Sequence, residues 1–186
     1  MEIVHVASEI APIAKVGGLA DVVYGLTRAQ LAMGYSTRVF LPFYAFLKGK
    51  CRPKRREDLT LSLPSGSYEV GIETAYIDGI ELCLIDSPLF NRDSPYDFNS
   101  QVEIDSFLFF SKVVATILSK QTAKTIVHLH DWPTAAIPLI LNDIKPSHPH
   151  LRTILTIHNV QFQGKCTADD LQRIGLTQLP KEAEDT

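Results

Sequence analysis

The sequence predicts an open, mostly parallel α/β sheet with a β-hairpin elaboration. Short apolar, β-branched runs alternate with stretches whose apolar residues recur at helical spacing, the pattern of strands joined by crossover helices. The residues least expected in a plain core (two acids, two histidines, a lysine and an asparagine) fall just past the ends of three of those runs. In an open α/β sheet that position is the carboxyl edge, where ligands bind.

Taken in order, Ile3-Val4-His5-Val6-Ala7 reads as a buried strand. Leu19, Val22, Val23, Leu26, Ala29 and Met33 then recur at helical spacing, and Gly34 stands where a left-handed cap would end the helix. Between strand and helix lies Lys15-Val16-Gly17-Gly18-Leu19-Ala20-Asp21. Glycine lets backbone approach a ligand, and the first amides of a helix carry partial positive charge, so this turn suits a phosphate with Lys15 beside it. It also suits a plain tight turn, since neither the P-loop spacing nor Gly-x-Gly-x-x-Gly is present. Thr37 to Leu41 reads as a second strand closed by Pro42. The basic run from Lys48 to Arg56 is followed at once by Glu57 and Asp58 and contains no aromatic residue to stack a base, which favours a solvated loop over a nucleic-acid surface.

Residues 68–86 read as a hairpin: Val70, Ile72 and Thr74 alternate with polar neighbours, Asp78-Gly79 supplies the turn, and Ile80, Leu82 and Leu84 return. A polar loop follows, with Pro88, Pro95, Tyr96 and Asn99, and then a helix from about Val102 to Ser119, apolar around so much of its circumference that burial is required. Thr125 to Leu129 is a strand, Thr134 to Leu141 a short helix despite Pro138, and Arg152 to Ile157 a strand leading into a loop with Gln161, Gln163 and Gly164.

A chain of 186 residues supports one domain with a real core. A net charge of −3 gives no electrostatic case for nucleic acid or an anionic membrane. Cys51, Cys83 and Cys166 are odd in number and widely spaced, pointing to a reducing compartment. Met1 precedes the first strand too closely for a signal peptide, and Phe107 to Leu118 is too short to span a bilayer, so a cytoplasmic protein is expected.

Glu9 and Lys15, His130 and Asp131, and His158 and Asn159 thus reach one edge from three loops. His128, inside an apolar strand, reads as a core histidine; with His130, Asp131 and His158 it also permits a metal-ligand reading, that of a metal-dependent hydrolase.

These residues resemble the bacterial glycogen synthases and plant starch synthases that use ADP-glucose. The matching pieces are Val6-Ala7-Ser8-Glu9 and Lys15 to Val22, Arg38-Val39 with Pro42 and Tyr44, His130-Asp131-Trp132 with Ala135 and Pro138, and Thr156-Ile157-His158-Asn159 with Gln163-Gly164, in the same order along nearly the whole chain. The resemblance implies a GT-B fold, two Rossmann-like domains facing across a cleft, and retaining transfer of glucose from ADP-glucose to the non-reducing end of an α-1,4-glucan such as glycogen. It places Lys15, Gly17 and Gly18 on the donor, His158 and Asp131 at the catalytic centre, and Glu9 and Asn159 on the acceptor side, with no metal and no cofactor. It further implies that 1–186 is a partial N-terminal, acceptor-side domain lacking the C-terminal donor-binding domain, inactive alone. A non-catalytic glucan-binding module is the alternative. Two positions depart from the family pattern: Val16 stands where threonine is frequent, and Ser106-Phe107 where an Arg-Phe pair is usual.

Overall fold

The computed structural model describes residues 1–97, 100–145 and 147–177; Asn99 of the predicted polar loop and the charged tail at 181–185 lie outside them. Among the described residues the order is β1 (Glu2–Val6), α1 (Gly18–Ala32), β2 (Ser36–Pro42), β3 (Arg55–Leu63), β4 (Gly66–Ile77), β5 (Ile80–Asp86), α2 (Ser100–Ser119), β6 (Thr125–His130), α3 (Ile137–Ile144), β7 (Leu151–Thr156) and α4 (Ala168–Arg173). The strands form one sheet in the order β3-β4-β5-β2-β1-β6-β7. From β5 through β2, β1 and β6 to β7 every pairing is parallel, while β4 is antiparallel to both β3 and β5.

The chain starts in the middle of this sheet, builds outward from β1 to β2 and β5, and returns through α2 to place β6 on the other side of β1. That reversal opens a crevice at the carboxyl ends of β1 and β6, the topological switch point of an open α/β sheet. Central position explains why these strands read as nearly unbroken apolar runs: Val4, Val6, Val127 and Leu129 are fully buried. Residues of opposite parity point to the other face of the sheet, and His5 stands there in register with His128.

Several expectations change in detail. The core side of α1 is Leu19, Ala20, Val23 and Thr27, whereas Val22 and Met33 are exposed. The hairpin turns at Asp78 (φ 48°) and Gly79 (φ 82°), the left-handed pair that a two-residue connection demands. This hairpin elaboration is built onto the main sheet, with β5 lying parallel to β2. The basic run does not end as a loop. Arg55 and Arg56 open β3, and Arg56 is held by Asp58, Glu73 and Asp86 at 2.9, 2.9 and 3.2 Å. Cross-strand carboxylates thus let a charged segment pair as an edge strand. The short helix begins later than predicted, at Ile137, after a 3-10 turn at Trp132–Thr134, so Pro138 occupies its first turn, where an amide hydrogen is not needed. Helix α4 has no counterpart in the sequence reading; Thr167 and Asp170 close a reciprocal capping box at its start.

At the far edge, β7 is exposed along most of its length, with Ile154 and Leu155 49 % and 44 % accessible. No helix among the described residues is long and apolar enough to cross a membrane.

Candidate functional site

The first wall of the crevice is the loop between β1 and α1. Gly17 caps α1 in an extended conformation (φ −134°) and has no side chain of its own to cap the first turn. A β-carbon added at Gly17 or Gly18 would meet nothing within 4 Å. Neither backbone strain nor packing therefore requires glycine at these positions. Glu9 is bonded into the same turn, its Oε2 accepting the amides of Val16 and Gly17 at 2.5 and 2.9 Å. Glu9, which the resemblance assigns to the acceptor side, thus also braces the glycine turn. Lys15 extends into solvent and pairs with Asp21 at 2.7 Å.

The second wall is built by Asp131, the residue after β6. Its backbone adopts φ 59°, ψ −178°, a region that glycine alone occupies readily. The compensation is local. The Asp131 amide donates to the Thr156 carbonyl at 2.9 Å, its carbonyl accepts from the Thr134 hydroxyl at 3.0 Å, and its Oδ1 accepts the amides of His158 (2.5 Å) and Asn159 (3.3 Å). Asp131 is buried and holds the loop after β7 in place.

Tyr96 closes over the first wall. Its hydroxyl donates to Glu9 Oε1 at 2.6 Å and lies 3.0 Å from the Ser8 hydroxyl. Burial, the Glu9 bond and the nearby charges of Glu9 and Asp131 push its ionisation well above the ordinary tyrosine range, so it stays a donor. Sequence reasoning assigns this tyrosine no role, because nothing in the order of residues shows that the loop after β5 folds over β1.

Beneath the rim lies a row of imidazoles. His130, expected at the edge, is instead the last residue of β6 and fully buried. Its Nε2 lies 3.0 Å from His5 Nδ1, and its Nδ1 lies 3.0 Å from His158 Nε2. His5 Nε2 meets Gln30 Oε1 at 2.7 Å, and His128 Nε2 meets the Thr156 hydroxyl at 2.7 Å. Desolvation lowers the His5 pKa to about 4 and, with help from neighbouring imidazoles, that of His130 to about 2. His128 is half-buried, a packed histidine as expected, and burial lowers its pKa too. Ring nitrogens of His5, His128 and His130 converge within 4.8 Å, a spacing compatible with a cation. The set weighed from the sequence differs: Asp131 turns its carboxylate onto backbone amides, and His158 is engaged by His130.

Two further contacts bound the site. Trp132 packs edge-on against Phe107 with ring centroids 5.2 Å apart, and Gly164 (φ +56°) lies so close that a β-carbon there would come within 1.9 Å of the indole. Only glycine fits that contact. Where the family pattern has arginine at position 106, Ser106 accepts from the Arg92 guanidinium at 3.3 Å, and the same group stands 5.3 Å over the Phe107 ring. A positive charge thus lies beside Ser106 in this chain as well.

A family profile described as the starch synthase catalytic domain matches residues 2–186. The chain belongs to that family. Among curated members, the glycogen synthase of Protochlamydia amoebophila is 35% identical over 190 residues, covering 95% of this chain and 37% of that protein. That of Bacillus subtilis is 36% identical over 173 residues, covering 88% and 35%. The starch synthase family chain thus spans little more than a third of the relatives it matches. Among solved structures, the catalytic domain of starch synthase IV from Arabidopsis thaliana, bound to ADP and acarbose, superposes with a TM-score of 0.82 at 29% identity. That superposition covers 94% of this chain and 37% of the other.

Proposed function

We propose that residues 1–186 are the partial N-terminal, acceptor-side Rossmann-like domain of a cytoplasmic, glycogen (starch) synthase-type glucosyltransferase. In this reading glucose passes with retention from ADP-glucose to the non-reducing end of an α-1,4-glucan, and a C-terminal domain supplies the remaining donor contacts. The ADP and acarbose held by the Arabidopsis catalytic domain represent the two ligand classes, nucleotide and glucan-like sugar. Lys15, Gly17 and Gly18 hold the donor diphosphate, His158 and Asp131 serve the catalytic centre, and Glu9 and Asn159 line the acceptor side.

One observation carries the donor assignment: two glycines that neither strain nor packing requires stand open to free space at the start of α1. With the Val16 and Gly17 amides taken by Glu9, a diphosphate would rest on the next amides of α1, and Lys15 would exchange Asp21 for phosphate.

The test separates folding from binding. Gly18→Ala should leave the protein as stable or up to about 1 kcal/mol more stable, because alanine is the better helix residue. Its affinity for ADP, followed by amide shifts in an NMR titration, should fall about tenfold, the equivalent of about 1.4 kcal/mol. Lys15→Ala should behave alike, since an exposed ion pair contributes under about 1 kcal/mol to stability. Unchanged ADP affinity in both variants would remove the donor assignment. The 186-residue chain itself is expected to elongate no glucan from ADP-glucose, because orienting both reactants needs groups from both sides of the cleft; incorporation of labelled glucose into glycogen is the measurement, and robust incorporation refutes the division of labour.

A further inference from the structure

We propose that Gln30, acting through His5 and His130, holds His158 as its Nε2–H tautomer, leaving Nδ1 of His158 as the ring nitrogen able to accept a hydrogen bond or proton from a ligand. The row of contacts has one consistent polarity. A neutral imidazole has one donor and one acceptor nitrogen. The Gln30 Oε1, 2.7 Å from His5 Nε2, only accepts, so His5 carries its hydrogen on Nε2 and presents a lone pair at Nδ1. That lone pair, 3.0 Å from His130 Nε2, places the His130 hydrogen on Nε2 and its lone pair on Nδ1. The same step across 3.0 Å places a hydrogen on His158 Nε2.

The surroundings keep this arrangement fixed. His5 and His130 are fully buried. The His130 ring is near-parallel to those of His5, His128 and His158, with interplanar angles of 25°, 20° and 18°. Among the described residues the side chains that hydrogen-bond the row from outside are neutral, Gln30 from α1 and Thr156 from β7, which bonds the side branch His128; the Asp131 carboxylate at the His158 end is engaged with the backbone amides of His158 and Asn159. His5 and His130 remain uncharged near neutral pH, in keeping with their depressed pKa values. Because the row ends on an amide oxygen, which is no base, it polarises without conducting a proton away. Gln30, His5 and His130 are therefore positioning residues. That the His158 lone pair is used toward a sugar rests on the proposed function; the tautomer does not.

Imidazole 15N NMR of the 186-residue chain at neutral pH tests this without any substrate, so its outcome is separate from that of the donor assignment. The expected result is a protonated Nε2 on His5, His130 and His158, with couplings across the hydrogen bonds from His158 to His130 and from His130 to His5. Gln30→Leu should abolish the His130-to-His5 coupling and lower the Nε2–H population of His158. Gln30→Glu should preserve the pattern and raise the titration of His5, because a carboxylate favours the charged ring. A role in packing alone would alter stability in both variants and move neither tautomer nor titration. The proposal is overturned by Nδ1 protonation of His158 in the wild type, by unchanged His158 resonances in folded Gln30→Leu, or by an unchanged His5 titration in Gln30→Glu. Should Gln30→Leu not fold, the wild type and the Glu variant decide the matter.

Discussion

Urea unfolding recorded at successive pH values should lose free energy steadily between pH 6.5 and 4.5, by up to about 5 kcal/mol. His5 and His130 are neutral in the fold, with pKa values lowered to about 4 and about 2. In the unfolded chain both return to about 6.5. Below that pH the unfolded state takes up protons that the native state refuses, so stability is complete above about pH 6.5 and declines as pH falls toward the folded values. Each histidine contributes a slope of about 1.4 kcal/mol per pH unit, and the two together about 2.7. Over the two pH units that is a loss of at most about 5 kcal/mol, a third or more of a typical total of about 5–15 kcal/mol. A profile flat from pH 6.5 to 4.5 would mean that the rings are charged, or not buried, in the native state.

At Asp131 the usual ranking of substitutions should invert. Alanine there loses the acceptor for the His158 and Asn159 amides and keeps an unfavourable backbone conformation, a change of about 2–4 kcal/mol. Glycine loses the same bonds but relieves the conformation, which is worth about 1–3 kcal/mol, so Asp131→Gly should be more stable than Asp131→Ala. Asp131→Asn keeps an acceptor oxygen and should be the mildest, at about 1 kcal/mol. Chemical denaturation of the three variants measures the order. Equal stability of the glycine and alanine variants would show that position 131 carries no backbone strain. Since Asp131 fixes the His158 amide, the same series should reveal any loosening of the loop that carries the imidazole.

What the sequence made legible was periodic. The unbroken apolar runs of β1 and β6, the Asp78-Gly79 turn and the all-round apolar α2 each follow from a local rule, and so does the gathering of Glu9, Asp131, His158 and Asn159 at strand ends. β3 was missed because its basic start obscured the alternation of Leu59, Leu61 and Leu63, and its pairing depends on Glu73 and Asp86 from other strands. α4 is only six residues long, too short for a helical period, and its capping box was the signal available. The imidazole row was hidden for a different reason: His5, His130 and His158 lie on three strands or their ends, and only the parallel register of β1, β6 and β7 brings them together. Gln30 sits near the end of crossover helix α1, turned toward β1, and nothing near it in sequence marks it.

The bare flank at β7 has a practical consequence. Ile154 and Leu155 point to opposite faces of the strand and both are open to water, so this rim is sticky above and below as well as along its backbone. With a net charge of only −3, copies of the chain repel one another weakly. Crowded solutions should therefore thicken into reversible aggregates zipped rim to rim, dispersed by mild urea and indifferent to salt.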